Sequence, residues 1–177
     1  MSDMKVIKRD GRQEAVSFDK ITRRVSSLCE GLKSADAVRV AQKVVQGVHD
    51  GVTTSELDDL AAQTAAGMSA QHPDYAKLAA RISISNLHKM TVPSIRAVYH
   101  VLADDVREFA EQHREALDAA FEWELDFRYD FFGFKTLERS YLMRDVEGKR
   151  IVERPQVMLM RIAVSYTHLT LPTILRV

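Results

Sequence analysis

A mainly α fold opened by a β-hairpin is what this sequence predicts, and three observations predict it. Val6 and Ile7 run into Asp10-Gly11, a turn signal because both residue types tolerate positive φ. Beyond Phe18, apolar residues recur three and four positions apart, the spacing of one helix face. Residues suited to open helices, namely Ser17, Asp36, Thr53 and Pro73, stand ahead of successive apolar runs.

Residues 4–17 read as the hairpin, with Asp10-Gly11 as a two-residue type I′ turn. Phe18, Ile21, Val25 and Leu28 mark the inner face of a first helix capped by Ser17. A second helix fits 36–49, turns Val40, Val44, Val45 and Val48 inward, and ends at Asp50-Gly51. Thr53-Thr54-Ser55-Glu56 has the form of a capping box, in which the Thr53 hydroxyl and the Glu56 carboxylate each accept from the other's backbone N–H. A third helix follows through Leu57, Leu60, Ala61, Thr64 and Met68. His72-Pro73-Asp74 opens a fourth, whose buried face is Tyr75, Leu78, Ala79 and Ile82.

Pro93 marks a boundary, followed by an amphipathic, charge-rich helical stretch to about Phe121. The composition then shifts. "FEWELDFRYDFFGFKTLERSYLM" holds the only Trp and five of the seven Phe, a density that predicts packing against something large. "DVEGKR" reads as a hairpin turn, and "ERPQVMLMRIAV" restarts a helix with Pro155 in its first turn. This second region reads as the beginning of a further domain.

Composition bounds the function. Of 177 residues, 46% are hydrophobic and 28% charged, as in a globular chain and not a disordered one. Lys+Arg and Asp+Glu each total 25, a balance that argues against general nucleic-acid binding, which needs a basic excess. No apolar run is long enough to span a membrane and the N-terminus lacks a signal-peptide core, so a cytoplasmic location is expected. Cys29 is the only cysteine, which excludes an intrachain disulfide, a zinc ribbon and a redox dithiol; it reads as a small core residue.

The charges at the hairpin have a bland reading: Lys8, Arg9 and Lys20 as solvated surface residues on a two-stranded edge. Against it, Lys8 and Arg9 adjoin the turn, and Lys20 lies in a first helical turn, where the dipole disfavours a cation. An anion bound there reconciles these features, because backbone N–H groups and lysines together suit a phosphate. No GxxxxGK[ST] loop and no general base arranged for phosphate attack are present, so a nucleotide would be bound and not hydrolysed.

"VIKRDGRQEAVSFDKI", "GVTTSELDDLAAQTAA" and "HPDYAKLAARISISNLHK" resemble the ATP-cone of the large subunit of class I ribonucleoside-diphosphate reductase. "FGFKTLERSYL" and "ERPQVMLMRIAV" look like the start of that subunit's catalytic domain, the helical lead-in to its ten-stranded α/β barrel. The resemblance spans residues 4–164 and is closest to the eukaryotic-like branch, with Asp58 as a marker. It implies an ATP-cone over 1–92 and the start of the catalytic domain over 93–164.

Carried over residue by residue, it implies an allosteric site for ATP, the activator, and dATP, the inhibitor, bound with Mg2+. Lys8 and Arg9 would contact phosphates. The segment Glu14, Ala15, Val16, Ser17, Phe18, Asp19 and Lys20 would wrap the nucleotide, with Glu14 accepting from adenine or ribose and Lys20 facing phosphate. Thr54 and Asp58, one helical turn apart, would meet it from the third helix. Lys89 would complete the phosphate cage, although a cation at a helix C-terminus has its own dipole rationale. Val6 and Ile21 suit either the base or the core. The expected partners are further large subunits and the small subunit that carries the radical metallocofactor.

The resemblance breaks after Val164. "VSYTHLTLPT" is what one reading frame of a transposase sequencing-library adaptor encodes, so 165–177 is expected to be read-through; a natural strand tail is the alternative. The family's catalytic and redox cysteines fall downstream of the matched motifs, and Cys29 corresponds to none of them. No catalytic or metal-binding residue is assigned, and the fragment is expected to be inactive alone. Two other readings stand beside this one: a cone-bearing transcriptional repressor, which would need a four-cysteine zinc ribbon, and a helical interaction module whose hairpin binds nothing.

Overall fold

The computed structural model describes residues 4–174. Strands β1 (Lys5–Ile7) and β2 (Gln13–Ala15) pair antiparallel, with Val6 opposite Glu14. Between them the Lys8 carbonyl accepts from the Gly11 N–H, and the Lys8 N–H donates to the Arg12 carbonyl. Only Gly11 takes a positive φ there, at 83°. The connection is therefore the three-residue loop Arg9-Asp10-Gly11 with glycine at its left-handed position, and not the type I′ turn expected of Asp-Gly. Asp10 acts instead through its side chain, accepting from the Arg12 N–H at 3.0 Å and from Arg12 Nε at 2.7 Å.

Helix α1 (Phe18–Leu28) is capped by Ser17, whose hydroxyl accepts from the Lys20 N–H. Helix α2 (Ala37–Gln46) is capped by Asp36, which accepts from Val38 and Arg39. It stops short of the expected residue 49, with Gly47 as its C-cap. Asp50-Gly51 then does more than end a helix. The Gly51 N–H donates to the Lys5 carbonyl at 2.9 Å, and the Asp50 carboxylate accepts from the Lys5 N–H at 2.7 Å.

That latch draws β3 (Val52–Thr53) into the sheet parallel to β1, giving the order β2-β1-β3 with Val52 beside Val6 and Thr53 beside Ile7. Sequence reasoning found the hairpin and missed this third strand, because two residues are too few to show a period. Helix α3 (Thr54–Gly67) therefore starts next to the hairpin loop. Its capping box forms as expected: Thr53 Oγ1 accepts from the Glu56 N–H at 3.1 Å, and the Glu56 carboxylate from the Thr53 N–H at 2.8 Å.

Helix α4 (Pro73–Met90) supplies Tyr75, Leu78, Ala79 and Ile82 to a core shared with Val25, Val40, Val44 and Met68. Ala61, Ala62 and Ala65 line the inner side of α3 and let α2 pack closely against it. Each fully buried Leu or Ile here contributes roughly 1.5–3 kcal/mol. Cys29 packs at the margin of this core, and burial pushes its thiol pKa up.

The chain forms two compact units. The first comprises the residues up to Asn86 together with Tyr129–Phe132; the second comprises Leu87–Arg128 and the chain from Gly133 onward. The second contains a 3-10 helix (Ile95–Val101), α5 (Asp104–Gln112), α6 (Arg114–Ala119), a further 3-10 helix (Trp123–Arg128) and α8 (Pro155–Ile174); α7 (Phe131–Ser140) lies mostly within it. The single helical stretch expected up to Phe121 is thus three pieces. Leu102 is extended, at φ −79° and ψ 144°. Asp118 folds the last piece back by accepting from the Ser94 hydroxyl and the Ile95 N–H, at 2.8 and 2.9 Å.

Ile95, Val98, Ala110, Phe121 and Val157 form the core of this unit. The aromatic stretch divides: Phe121 and Phe134 are buried, whereas Phe132 and Tyr141 are exposed. "DVEGKR" makes the expected turn around Gly148, closed by an Arg144–Ile151 bridge. Helix α8 runs through Ile174, so residues 165–174 are helical and not the strand of the alternative reading, and 175–177 lie outside the described residues.

Candidate functional site

Where β2 leads into α1, two lysines converge on one carboxylate. Glu14 Oε2 receives Lys20 Nζ at 2.6 Å and Lys8 Nζ at 3.3 Å. The hydrogen bonds from Lys20 and then Lys8 hold the Glu14 carboxyl below its ordinary pKa. Glu14 thereby supplies within the chain the anion that Lys20, at a helix start, calls for. Phe18, the first residue of α1, is 40% exposed. Ala15, Val16, Ser17 and Asp19 line the same connection, all at least partly accessible.

One residue further along the loop, a second cluster forms around Asp58. Arg24 grips this carboxylate side-on, Nε to Oδ1 at 3.1 Å and Nη2 to Oδ2 at 3.3 Å. Arg9 reaches the same Oδ2 with its Nη2, also at 3.3 Å. Asp58 is 9% exposed in its side chain, against 33% for Arg9 and 25% for Arg24. The carboxylate is thus enclosed while the guanidinium groups still reach solvent. Thr54, half-buried, sits one turn before Asp58 on α3.

The structure therefore brings together Lys8, Arg9, Glu14, Lys20, Thr54 and Asp58. Val6 is buried, and Ile21, partly buried, packs against the core. Lys89 is exposed and belongs to the second unit. Sequence reasoning missed Arg24 and, from α4, Ser85 and Asn86. Arg24 Nη2 donates to Ser85 Oγ at 3.0 Å, and Arg9 Nη2 donates to Asn86 Oδ1. Asn86 in turn donates through Nδ2 to Asp59 Oδ1 and Ser55 Oγ, each at 3.2 Å. Arg24 did carry one signal: it stands four residues after Lys20, on the same helical face. Taken together, four cations, two from the hairpin and two from α1, share two carboxylates, a local excess of positive charge that suits a polyanion.

A model of the ATP cone domain matches residues 4–90, and one of the ribonucleotide reductase all-alpha domain matches residues 127–171. The chain belongs to the ribonucleoside-diphosphate reductase large-subunit family. It is 56% identical to the ribonucleoside-diphosphate reductase large subunit of Arabidopsis thaliana over 92% of its own length. To the large chain of Schizosaccharomyces pombe it is 52% identical, and to the large subunit of Monkeypox virus 46%, each over 92% of this chain. It spans only 22% of the length of the Arabidopsis and fission-yeast proteins. These matches support the reductase reading and not the repressor or the non-binding helical module.

Proposed function

We propose that the first unit binds ATP and dATP as allosteric effectors, in a pocket walled by the hairpin loop, the 14–20 connection and the first turns of α3. One observation carries this reading: two carboxylates are each shared by two part-exposed cations at the hairpin loop, in a cone that is otherwise charge-balanced. An arriving triphosphate displaces Glu14 from Lys8 and Lys20 and takes over their charge. Arg9 remains within reach of the phosphates, and the exposed Phe18 ring offers a face to the base. Thr54 and Asp58 face the sugar, where ATP and dATP differ by one 2′-OH. A bound Mg2+ would neutralise part of the triphosphate charge.

The reading extends to the whole protein. The cone spans 1–92 and the catalytic domain begins at 93. The complete subunit reduces ribonucleoside diphosphates together with a radical-bearing small subunit, and ATP or dATP at the cone sets whether it does so. A difference of ~1–2 kcal/mol per hydrogen bond suffices to bias two assembly states. Calorimetric titration of the 177-residue chain with ATP and dATP tests the binding. Heat and a thermal shift with both are expected. Absence of both signals with either nucleotide refutes the reading.

A further inference from the structure

The Asp58 carboxylate does not stand alone on α3. Both its oxygens are engaged by Arg24, one through Nε and the other through Nη2, and this side-on fork fixes the plane of the carboxylate as a single contact would not. Arg24 is itself held by Ser85 of α4, at 3.0 Å. The enclosed carboxylate, met also by Arg9 at Oδ2, is therefore oriented by a residue of α1 that is itself held by a residue of α4.

We propose that Arg24 is a positioning residue of the nucleotide site: it sets the direction in which Asp58 presents its carboxylate, and through it the discrimination between a ribose and a 2′-deoxyribose. The role rests on the proposed nucleotide site and adds to it a residue outside the segments assigned from sequence. In the proposed site Arg24 acts only through Asp58, which meets the sugar. A hydrogen bond to a single hydroxyl depends steeply on angle, so a carboxylate free to rotate accepts from water as readily as from the sugar. Lysine in place of Arg24 keeps the positive charge but loses the planar fork, and separates orientation from simple charge balance.

The test uses the complete 177-residue chain, titrated with ATP and with dATP. In Arg24→Lys the melting temperature is expected to stay close to that of the unaltered chain. The ratio of the two dissociation constants should move toward one by about fivefold, the equivalent of one hydrogen bond. Arg24→Lys added to Asp58→Asn should leave the ratio where Asp58→Asn alone puts it, because the two act as one unit. An unchanged ratio in Arg24→Lys, or a further change on the Asp58→Asn background, overturns the role of Arg24. If the unaltered chain binds neither nucleotide, the proposed site itself fails, and this role fails with it.

Discussion

Around Asp58 two arginines converge on one carboxylate, and around Glu14 two lysines do the same. In the second unit the arrangement differs. Glu153, fully buried, is matched by Arg161 through both oxygens, at 3.0 and 3.2 Å, and accepts from the Met143 N–H at 2.7 Å. Asp126, also fully buried, accepts from His88 Nε2 at 2.7 Å. Arg154 donates to the His88 and Thr91 carbonyls and lies over the Trp123 ring at 4.5 Å. Burial depresses its pKa, while the nearby Asp126 charge acts in the opposite direction. In this unit Glu153 is engaged at both oxygens, and Asp126 at Oδ2 alone. In the two clusters of the first, four cations share two carboxylates and remain part-exposed. The same residue types thus form buried pairs in one unit and part-exposed shared clusters in the other, and what separates the two is exposure together with the number of cations on each carboxylate.

The largest effect that would break this contrast lies in the second unit. Glu153→Ala leaves the Arg161 guanidinium and the Met143 N–H without their acceptor and should cost about 3–5 kcal/mol. Trp123, the only tryptophan, lies in that unit, so fluorescence-detected urea unfolding reads the loss there. If Glu153→Ala unfolds no earlier, the pair is not a strut. Next, Lys8→Ala combined with Lys20→Ala should reverse the pattern. Stability should stay within roughly 0.5 kcal/mol, as for most surface substitutions. Affinity for ATP and dATP should fall alike, by about 1.5–3 kcal/mol, the range for hydrogen bonds to charged groups. A loss of stability without a loss of affinity would make these lysines structural.

Asp58→Asn sharpens the contrast further. It keeps the shape of the side chain but removes the charge, so the dATP-to-ATP affinity ratio should change by about 1–2 kcal/mol, as seen in paired titrations. An unaltered ratio removes Asp58 from the discrimination. The smallest effect is on Glu14. Its folded pKa lies below its unfolded value, so its ion pairs add stability above the unfolded carboxylate range and lose it as pH falls through the folded value. Carboxyl chemical shifts followed by NMR should show that depressed midpoint, and either Lys8→Ala or Lys20→Ala should raise it. Saturating ATP should raise it too if phosphate takes over the lysines; an unmoved midpoint would show that Glu14 keeps them.

Much of the first unit was legible because its helices carry a period and a cap. Ser17, Asp36 and the Thr53–Glu56 box each act at the position their chemistry predicts. The second unit was less so: its helices are short, and Leu102 and Asp118 break and fold a stretch whose amphipathic pattern runs on without interruption. At the site, residues next to the turn declared themselves through charge at an unfavourable helix end. Asn86 did not, and Arg24 did so only by standing one turn after Lys20, since an arginine inside a helix and an asparagine late in one are ordinary until the chain closes and brings α4 against the hairpin loop. Glu14 was legible as a site residue but not as the partner of two lysines, a pairing that depends on how β2 turns into α1.

The Asp50 latch has a consequence for how the unit assembles. It joins residues 45 positions apart, and the Arg9–Asp58 and Arg9–Asn86 bonds span 49 and 77. Each of these closures costs chain entropy before it returns any contact energy, so none is expected early in folding. Arg9, Asp58 and Asn86, residues around the proposed pocket, are then expected to come together late in the assembly of the unit. A nucleotide that grips these residues therefore has no partly folded form to bind. Binding at the proposed site would add RT ln(1 + [L]/Kd) to the stability of the folded unit, which would then rise with the concentration of free nucleotide.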